Sequence, residues 1–277
     1  MNRIPEEKLR KICEEIDGEY GLYIALPDSN ECLTINENKR FNAASTIKIP
    51  ILALLFRDFE QGRLTPEQPT RIPEDCRYGG SGVLKFLSND VTLTLYDFAV
   101  LMIIYSDNIA TNVLIDILGR ERINEFIKEN GWENTYLEGK LIGRLIGDGA
   151  VYNYTTAYDL GKMMEGVLSG TLVSKTASEE MLAIMVAQQL GKFKQSLPCI
   201  SVSKTRPPLP QIPEGKVIVA CKGGTLMRTV SHDAAILMLP NGKRAILVLT
   251  TSIKDNDKVL SQFKAIARAV YDALLEN

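Results

Sequence analysis

The sequence predicts an α+β protein: an antiparallel sheet built from both ends of the chain, flanked by the terminal helices, with an all-helical lobe inserted between them. Three observations predict it. Strand-like runs sit at the two ends, Glu19 to Leu26 and Cys32 to Ile35, then Lys216 to Lys222, Ser231 to Leu239 and Arg244 to Ser252. Helical spacing fills the middle. A short N-terminal strand pair would be marginal alone, so the two ends must meet in one sheet. On this reading a discontinuous sheet domain spans 1–38 and 215–277, and a helical domain spans 39–214.

The elements follow in order. Pro5 to Ile16 places Leu9, Ile12 and Ile16 on one helical side, and Pro27-Asp28-Ser29-Asn30 makes the turn between the first two strands. Ser45 to Leu64 turns helical after the small residues that follow Asn42. Thr92 to Leu118 is helical with an interruption at Ser106-Asp107-Asn108, and Ile123 to Asn130 is closed by Gly131. The glycine-rich stretch 132–154 reads as a loop. Thr155-Thr156 caps a helix through Leu168, and Ser178 to Leu190 is helical as well. Four prolines between Thr205 and Glu214 make a stiff connection. Asn241-Gly242 signals a hairpin between the last two strands, and Asp255 to Leu275 closes the chain as a helix.

Composition narrows the function classes. With 277 residues, 45% apolar and 24% charged, the chain is long enough for a sizeable core. A net charge of −2 gives no global attraction for nucleic acid or an anionic membrane. The apolar runs, such as Phe98 to Tyr105, are too short to span a bilayer. His232 is the sole histidine and the five cysteines are scattered without a CxxC pair, so no metal and no cofactor is expected. The cysteines read as mostly buried free thiols in a reducing compartment. The polar start, Met1 to Glu7, has no apolar leader, which points to a cytoplasmic protein, with a mature exported form as the rival. A monomer acting on a small molecule is the expectation.

Chemistry concentrates in three short motifs. Ser45-Thr46-Ile47-Lys48 is an SxxK tetrad whose i, i+3 spacing lets the lysine amine reach the serine hydroxyl. A serine hydroxyl is a weak nucleophile until a base takes its proton, and a lysine serves only when desolvation or neighbouring cations lower its pKa. Two further SxxK matches, Ser201 to Lys204 and Ser261 to Lys264, show how little the tetrad says alone. Only the first opens a strongly apolar helix, Ile49 through Phe56. Ser106-Asp107-Asn108 alone would read as a capping turn. Lys222-Gly223-Gly224-Thr225 alone would read as a strand edge before a glycine turn.

Taken in this order, SxxK, SDN and a lysine-glycine strand, the set resembles class A β-lactamases and penicillin-binding proteins. Ser81-Gly82-Val83-Leu84 resembles a loop of that family, Asn153 to Leu160 resembles its Thr-Thr helix start, and Cys221 to Ser252 its closing strands. The resemblance covers nearly the whole chain and implies a β-lactamase/transpeptidase-like fold. It implies Ser45 as the acylated nucleophile, Lys48 as its proton partner, and Ser106 as the shuttle to the leaving nitrogen. It implies Asn108 as a substrate amide contact and Lys222 as the source of the field around Ser106. The backbone N–H groups of Ser45 and Thr225 would form the oxyanion hole beside Gly224.

Two departures bear on the activity. The deacylating glutamate of class A enzymes would fall near Leu141 or Ile142, and neither is a carboxylate; Glu133, Glu138 and Asp148 are the nearby acids. Gly223 stands where the third motif usually has a hydroxyl residue. His232, with Arg228 as competitor, is expected to contact substrate where the family often has an anion-binding arginine. The sequence thus reads as a serine hydrolase opening a β-lactam through an acyl-enzyme on Ser45, with slow deacylation. A penicillin-binding or esterase-like relative acting on a peptide or small ester is the alternative, and a non-catalytic binding module is the third.

Overall fold

The computed structural model describes residues 3–142, 152–202, 204–226, 229–253 and 256–276. Helix α1 (Glu6–Glu14) leads into strands β1 (Gly18–Leu26) and β2 (Glu31–Ile35), then the short β3 (Phe41–Asn42). A 3-10 turn, Ala44–Ile47, opens helix α2 (Lys48–Glu60). Strands β4 (Pro69–Arg71) and β5 (Thr92–Thr94) pair with each other ahead of α3 (Leu95–Ile104), α4 (Asn108–Leu118) and α5 (Arg120–Glu129). Strand β6 (Tyr154–Thr155) pairs with β3 and precedes α6 (Ala157–Ser169) and α7 (Lys175–Val186). Strands β7 (Ile218–Leu226), β8 (Val230–Met238) and β9 (Arg244–Ile253) follow, and α8 (Asn256–Glu276) ends the fold.

The two ends of the chain do meet. The sheet order is β2-β1-β9-β8-β7, every pair antiparallel, with Leu22 opposite Leu249 and Lys222 opposite Ala234. Strands β1, β7, β8 and β9 are buried on both faces over most of their length, which is why they read as apolar runs rather than alternating ones. Alternation still sorts the residues. Leu22, Ile24, Val219, Leu237 and Leu247 face α1 and α8, packing with Leu9, Phe263 and Ile266. Tyr23, Ile218, Ala220, Ile236 and Val248 face the inserted helices and join their core. The predicted α+β class, with terminal helices on one side and helices inserted on the other, is what the chain adopts.

Local rules set the helix starts. Thr94 and Asp97 form a reciprocal capping box, which moves the start of α3 past Thr92 to Leu95. Asp107, Thr156 and Ser174 cap α4, α6 and α7 through side-chain oxygens. The Ser174 cap starts α7 three residues before the expected Ser178. Helix α2 is buried from Lys48 through Phe56, so it has no polar face; it is the central post of the helical lobe. Pro50 is tolerated because the first turn of a helix has no intrahelical use for that N–H. Of the five free cysteines, Cys13, Cys76 and Cys221 are buried, while Cys32 is exposed. No helix among the described residues is long and apolar enough to cross a membrane.

One close approach locks α6 to the sheet. A Cβ on Gly161 would stand 2.4 Å from the Tyr23 ring, and the Tyr23 hydroxyl donates to Glu165 one turn later. Alanine ordinarily improves a helix by about 1 kcal/mol over glycine. Here the overlap dominates, since overpacking costs about 1–3 kcal/mol. Gly161→Ala is expected to lower the urea midpoint at unchanged slope. A raised midpoint would show that Tyr23 moves aside freely.

Candidate active site

Ser45 lies in the 3-10 turn before α2, and Lys48 is the first α-helical residue. In a 3-10 turn residues i and i+3 eclipse, so Lys48 falls directly under Ser45. The backbone just before Ser45 is unusual: Ala44 adopts φ +44°. The Asn42 side chain holds that bend by accepting the Ala44 N–H at 3.0 Å. Ser45 is half-buried, and among the described residues nothing hydrogen-bonds its hydroxyl.

The three motifs converge on one atom. The Ser106 hydroxyl lies 3.0 Å from Lys48 Nζ and 3.1 Å from Lys222 Nζ. Lys48 Nζ also donates to the Ser106 carbonyl at 2.6 Å and to Asn108 Oδ1 at 3.0 Å. Ser106 has φ +54°, a left-handed conformation that serine avoids. Its neighbour Asp107 holds it there. One Asp107 oxygen caps α4 at Ala110, and the other accepts the Val83 and Leu84 N–H groups at 2.7 and 2.8 Å. The Ser81 carbonyl accepts the Asn108 N–H, so the predicted Ser81-Leu84 loop packs against this turn.

Burial sets the electrostatics. Lys48 and Lys222 are both fully buried. Desolvation pushes the Lys48 amine well below its ordinary value; the Lys222 charge adds to that and Asp107 opposes it. Lys222 is pushed down to about 7, by burial first and the Lys192 charge next, with Asp233 and Cys221 opposing. A neutral Lys48 amine is a base, and a neutral amine beside a hydroxyl can pass protons through it.

Strand β7 closes the site from the sheet side. A Cβ on Gly224 would come within 3.0 Å of the Ser45 backbone nitrogen and 3.1 Å of the Ala43 carbonyl, so only glycine lets the strand approach this turn. Thr225 follows and its side chain is exposed. By alternation it shares the face of Gly223, not that of Lys222 and Gly224.

The expectation for His232 is corrected. Its ring is fully buried with both nitrogens engaged by the protein. The Thr251 N–H donates to Nδ1 at 3.0 Å, so the proton sits on Nε2, which donates to the Asn42 carbonyl at 2.7 Å. No polar ring atom remains for substrate. His232 instead ties β8 to the segment that leads into Ser45. Arg228 and Asp148 lie outside the described residues.

Leu141 is held beside the site. Its N–H donates to Asn112 Oδ1 at 2.8 Å and its carbonyl accepts from Asn112 Nδ2 at 3.2 Å. Asn112 is one helical turn after Asn108 on α4, and that i, i+4 spacing is the sequence signal for it. The Leu141 side chain packs on the helical core. Glu133 and Glu138 are exposed. The neighbouring Lys140 ammonium lies 2.8 Å from Asp75 and 2.7 Å from Asp116, filling the centre of the Asp75-Cys76-Asp116 group that would otherwise suit a metal ion. The other SxxK serines stand apart: Ser261 is exposed on α8, bonded to the Lys258 carbonyl, and Ser201 is exposed.

Comparison with known proteins adds the following. The model of a beta-lactamase enzyme family matches residues 4–274. Beta-lactamase CARB-4 of Pseudomonas aeruginosa is 26% identical over 190 residues, which is 67% of this chain. The match spans 65% of that relative's length. A beta-lactamase structure from Sphaerobacter thermophilus is 28% identical, with TM-score 0.85 over 98% of this chain and 97% of its own. A leucine-to-glutamate variant of PBP-A, solved as an acyl-enzyme complex with penicillin G, is 25% identical, with TM-score 0.84 over 100% and 98%.

The His232 clamp makes a pH prediction. Burial pushes its pKa from 6.5 down to about 4, with the Asn42 bond opposing. As pH falls, the unfolded chain takes the proton first. The stability held in the neutral ring is therefore complete above pH 6.5 and lost between 6.5 and 4. The loss should total about 3 kcal/mol. Urea unfolding across that window should show this component in the native protein and not in His232→Gln. An equal acid loss in the variant would overturn the assignment.

Proposed function

The chain belongs to the beta-lactamase enzyme family, and from that premise we propose that it takes β-lactams as a serine acyl-transfer enzyme and releases the acyl group slowly. The observation that carries this reading is the Ser106 hydroxyl bridging two buried lysines next to Ser45. Ser45 Oγ attacks the lactam carbonyl carbon while its proton passes to the neutral Lys48 amine. The developing oxyanion is met by the backbone N–H groups of Ser45 and Thr225. Collapse breaks the C–N bond, and the nitrogen receives the proton by way of Ser106, replenished from Lys48. The products of this half-reaction are a Ser45 ester and a ring-opened amine. Lys222 supplies positive field at Ser106, and Asn108 offers an amide for the substrate's side-chain amide.

Slow release rests on Leu141. The second half-reaction needs a base that activates water against the ester, and a leucine side chain has none. The exposed acids Glu133 and Glu138 are poorly placed to replace it. This favours a penicillin-binding behaviour, with a persistent adduct, over efficient antibiotic hydrolysis.

Intact mass after mixing with a penicillin should show a one-to-one adduct that decays more slowly than ~0.01 per second, a barrier of about 20 kcal/mol. Ser45→Ala should form no adduct, and Lys48→Ala should acylate about 10²–10⁴-fold more slowly, roughly 3–5 kcal/mol. Rapid turnover without an adduct would overturn slow release and make Glu138 the first acid to test. Neither adduct nor turnover, with lactams or simple esters, would leave the binding module.

Leu141→Glu should shorten the lifetime of the adduct at least tenfold, because Asn112 holds that backbone beside the site whichever side chain it bears. The decay of the adduct mass in the variant measures this directly. An unchanged lifetime would mean that the new carboxylate does not come within one water of the ester.

A further inference from the structure

Behind the strand that bears Lys222 lies a second lysine that the motifs did not reveal. Lys192 comes between α7 and the 3-10 turn Phe193–Ser196. Its ammonium donates to the His232 carbonyl at 2.9 Å and to the Gly224 carbonyl at 3.5 Å. The Lys222 amine donates to the Gly223 carbonyl at 2.7 Å. Two lysine amines therefore sit on consecutive carbonyls of β7.

A carboxylate completes the group. Asp233, fully buried, pairs across the ladder with Gly223. Burial pushes the Asp233 carboxyl above its usual range; the Lys192 charge opposes this, as do the backbone N–H groups of Lys192 at 2.6 Å and Phe193 at 3.0 Å that its Oδ2 accepts. Its Oδ1 is buried without a hydrogen-bond partner among the described residues. Gly223 accounts for the space between them. A Cβ there would stand 3.5 Å from Lys192 Nζ and 3.6 Å from Asp233 Oδ1. A hydroxyl side chain at this position would bond one of the two and partly quench it. The glycine leaves both charges to act across the strand.

We propose that Lys192 and Asp233 are positioning residues that set the proton occupancy of Lys222 from behind β7, Lys192 pressing it toward the neutral amine and Asp233 toward the ammonium. This rests on the acyl-transfer reading of Ser45 only for its consequence, not for its chemistry. Lys222 has Lys48 of α2 across the shared Ser106 hydroxyl, and behind its own strand lie Lys192 from the segment after α7, Asp233 from β8 and Cys221. Of these, Lys192 is the cation that most depresses it, and Asp233 is first among those that oppose. A Lys222 poised near neutrality can both give a proton to Ser106 and take one back. A permanently charged lysine could only attract an anion.

The test reads Lys222 itself. The full chain, labelled with ¹³Cε-lysine, is titrated by NMR, and the Lys222 signal is identified by its loss in Lys222→Gln. The native midpoint should lie near 7. Lys192→Gln should raise it by about one pH unit, and Asp233→Asn should lower it by a comparable amount. Lys192→Arg, which keeps the charge, should restore the native value, and Asp233→Asn keeps an acceptor for both backbone N–H groups. The acid limb of Ser45 acylation by a penicillin should shift in the same directions. Shifts of the same sign in the two variants, or an unmoved midpoint, would overturn the proposal. So would a Lys192→Gln variant slow only toward carboxylate-bearing substrates at an unmoved midpoint, since Lys192 would then be a substrate contact. The titration needs no substrate, so an absent adduct would fault the acyl-transfer reading and leave this one standing.

Discussion

Two buried lysines share one serine hydroxyl, and the rest of the site depends on that arrangement. Removing an amine from water disfavours its charged form, and a second amine on the same hydroxyl disfavours it again. Such a pair persists only if the surrounding structure prevents either chain from retreating to solvent. Helix α2 is buried without a break from Lys48 through Phe56, so Lys48 has nowhere else to go. Lys222 is enclosed within a sheet buried on both sides. Ser106 must then reach both, and it does so from a left-handed backbone that costs on the order of 1–2 kcal/mol. The bonds of Asp107 to Ala110, Val83 and Leu84 offset that cost, each to a charged acceptor and so among the stronger kinds.

The same need for fixed distances explains how the sheet and the helices are joined. Ser45 sits at the start of a helix, whereas Lys222 sits on an edge strand. Their relative position is therefore a packing problem between layers. Gly224 lets β7 come against the Ser45 turn, and His232 anchors Asn42 to β8 and β9. Asn42 in turn holds Ala44 in its bend and pairs with Tyr154. From there the Ala43 N–H reaches the Asn153 carbonyl, and the Asn153 side chain accepts the N–H groups of Glu138 and Gly139. One chain of bonds runs from the sheet through the Ser45 turn to the segment that carries Leu141.

What the sequence made legible was local, or was ordered along the chain. Helix starts were readable where a side chain caps its own helix, as at Asp107 and Thr156. The tetrad at Ser45 was separable from its two copies because an apolar helix follows it. The order of three weak motifs then carried more than any one of them. The shared hydroxyl follows from the meeting of α2, the turn before α4 and β7, which no local pattern encodes. The expectation for His232 fails for the same reason: the resemblance places it near the site, but only the meeting of β3, β8 and β9 shows that Asn42 and Thr251 engage both ring nitrogens. Lys192 and Asp233 were silent, since one is a lysine in a turn and the other an acid in a strand until the β7–β8 register brings them behind Gly223.

The two halves of an acyl-transfer cycle draw on different parts of this fold. On the proposed reading, acylation would use groups fixed by the core: the buried lysines, the strained serine and the N–H donors where β7 meets the Ser45 turn. Deacylation, on the same proposed reading, would use a base on the segment that carries Leu141, held to α4 by the Asn112 side chain and by the Lys140–Asp116 ion pair. The Leu141 side chain packs on the helical core, while the hydrogen bonds of the lysine pair go to Ser106, Asn108 and Gly223. In the proposed cycle the first half would therefore draw on the core and the second on a side chain outside the lysine pair, so that a single substitution could alter the second step while leaving the first in place. On that reasoning the lifetime of the acyl group, more than the capacity to form it, is what a change at Leu141 would alter in this chain.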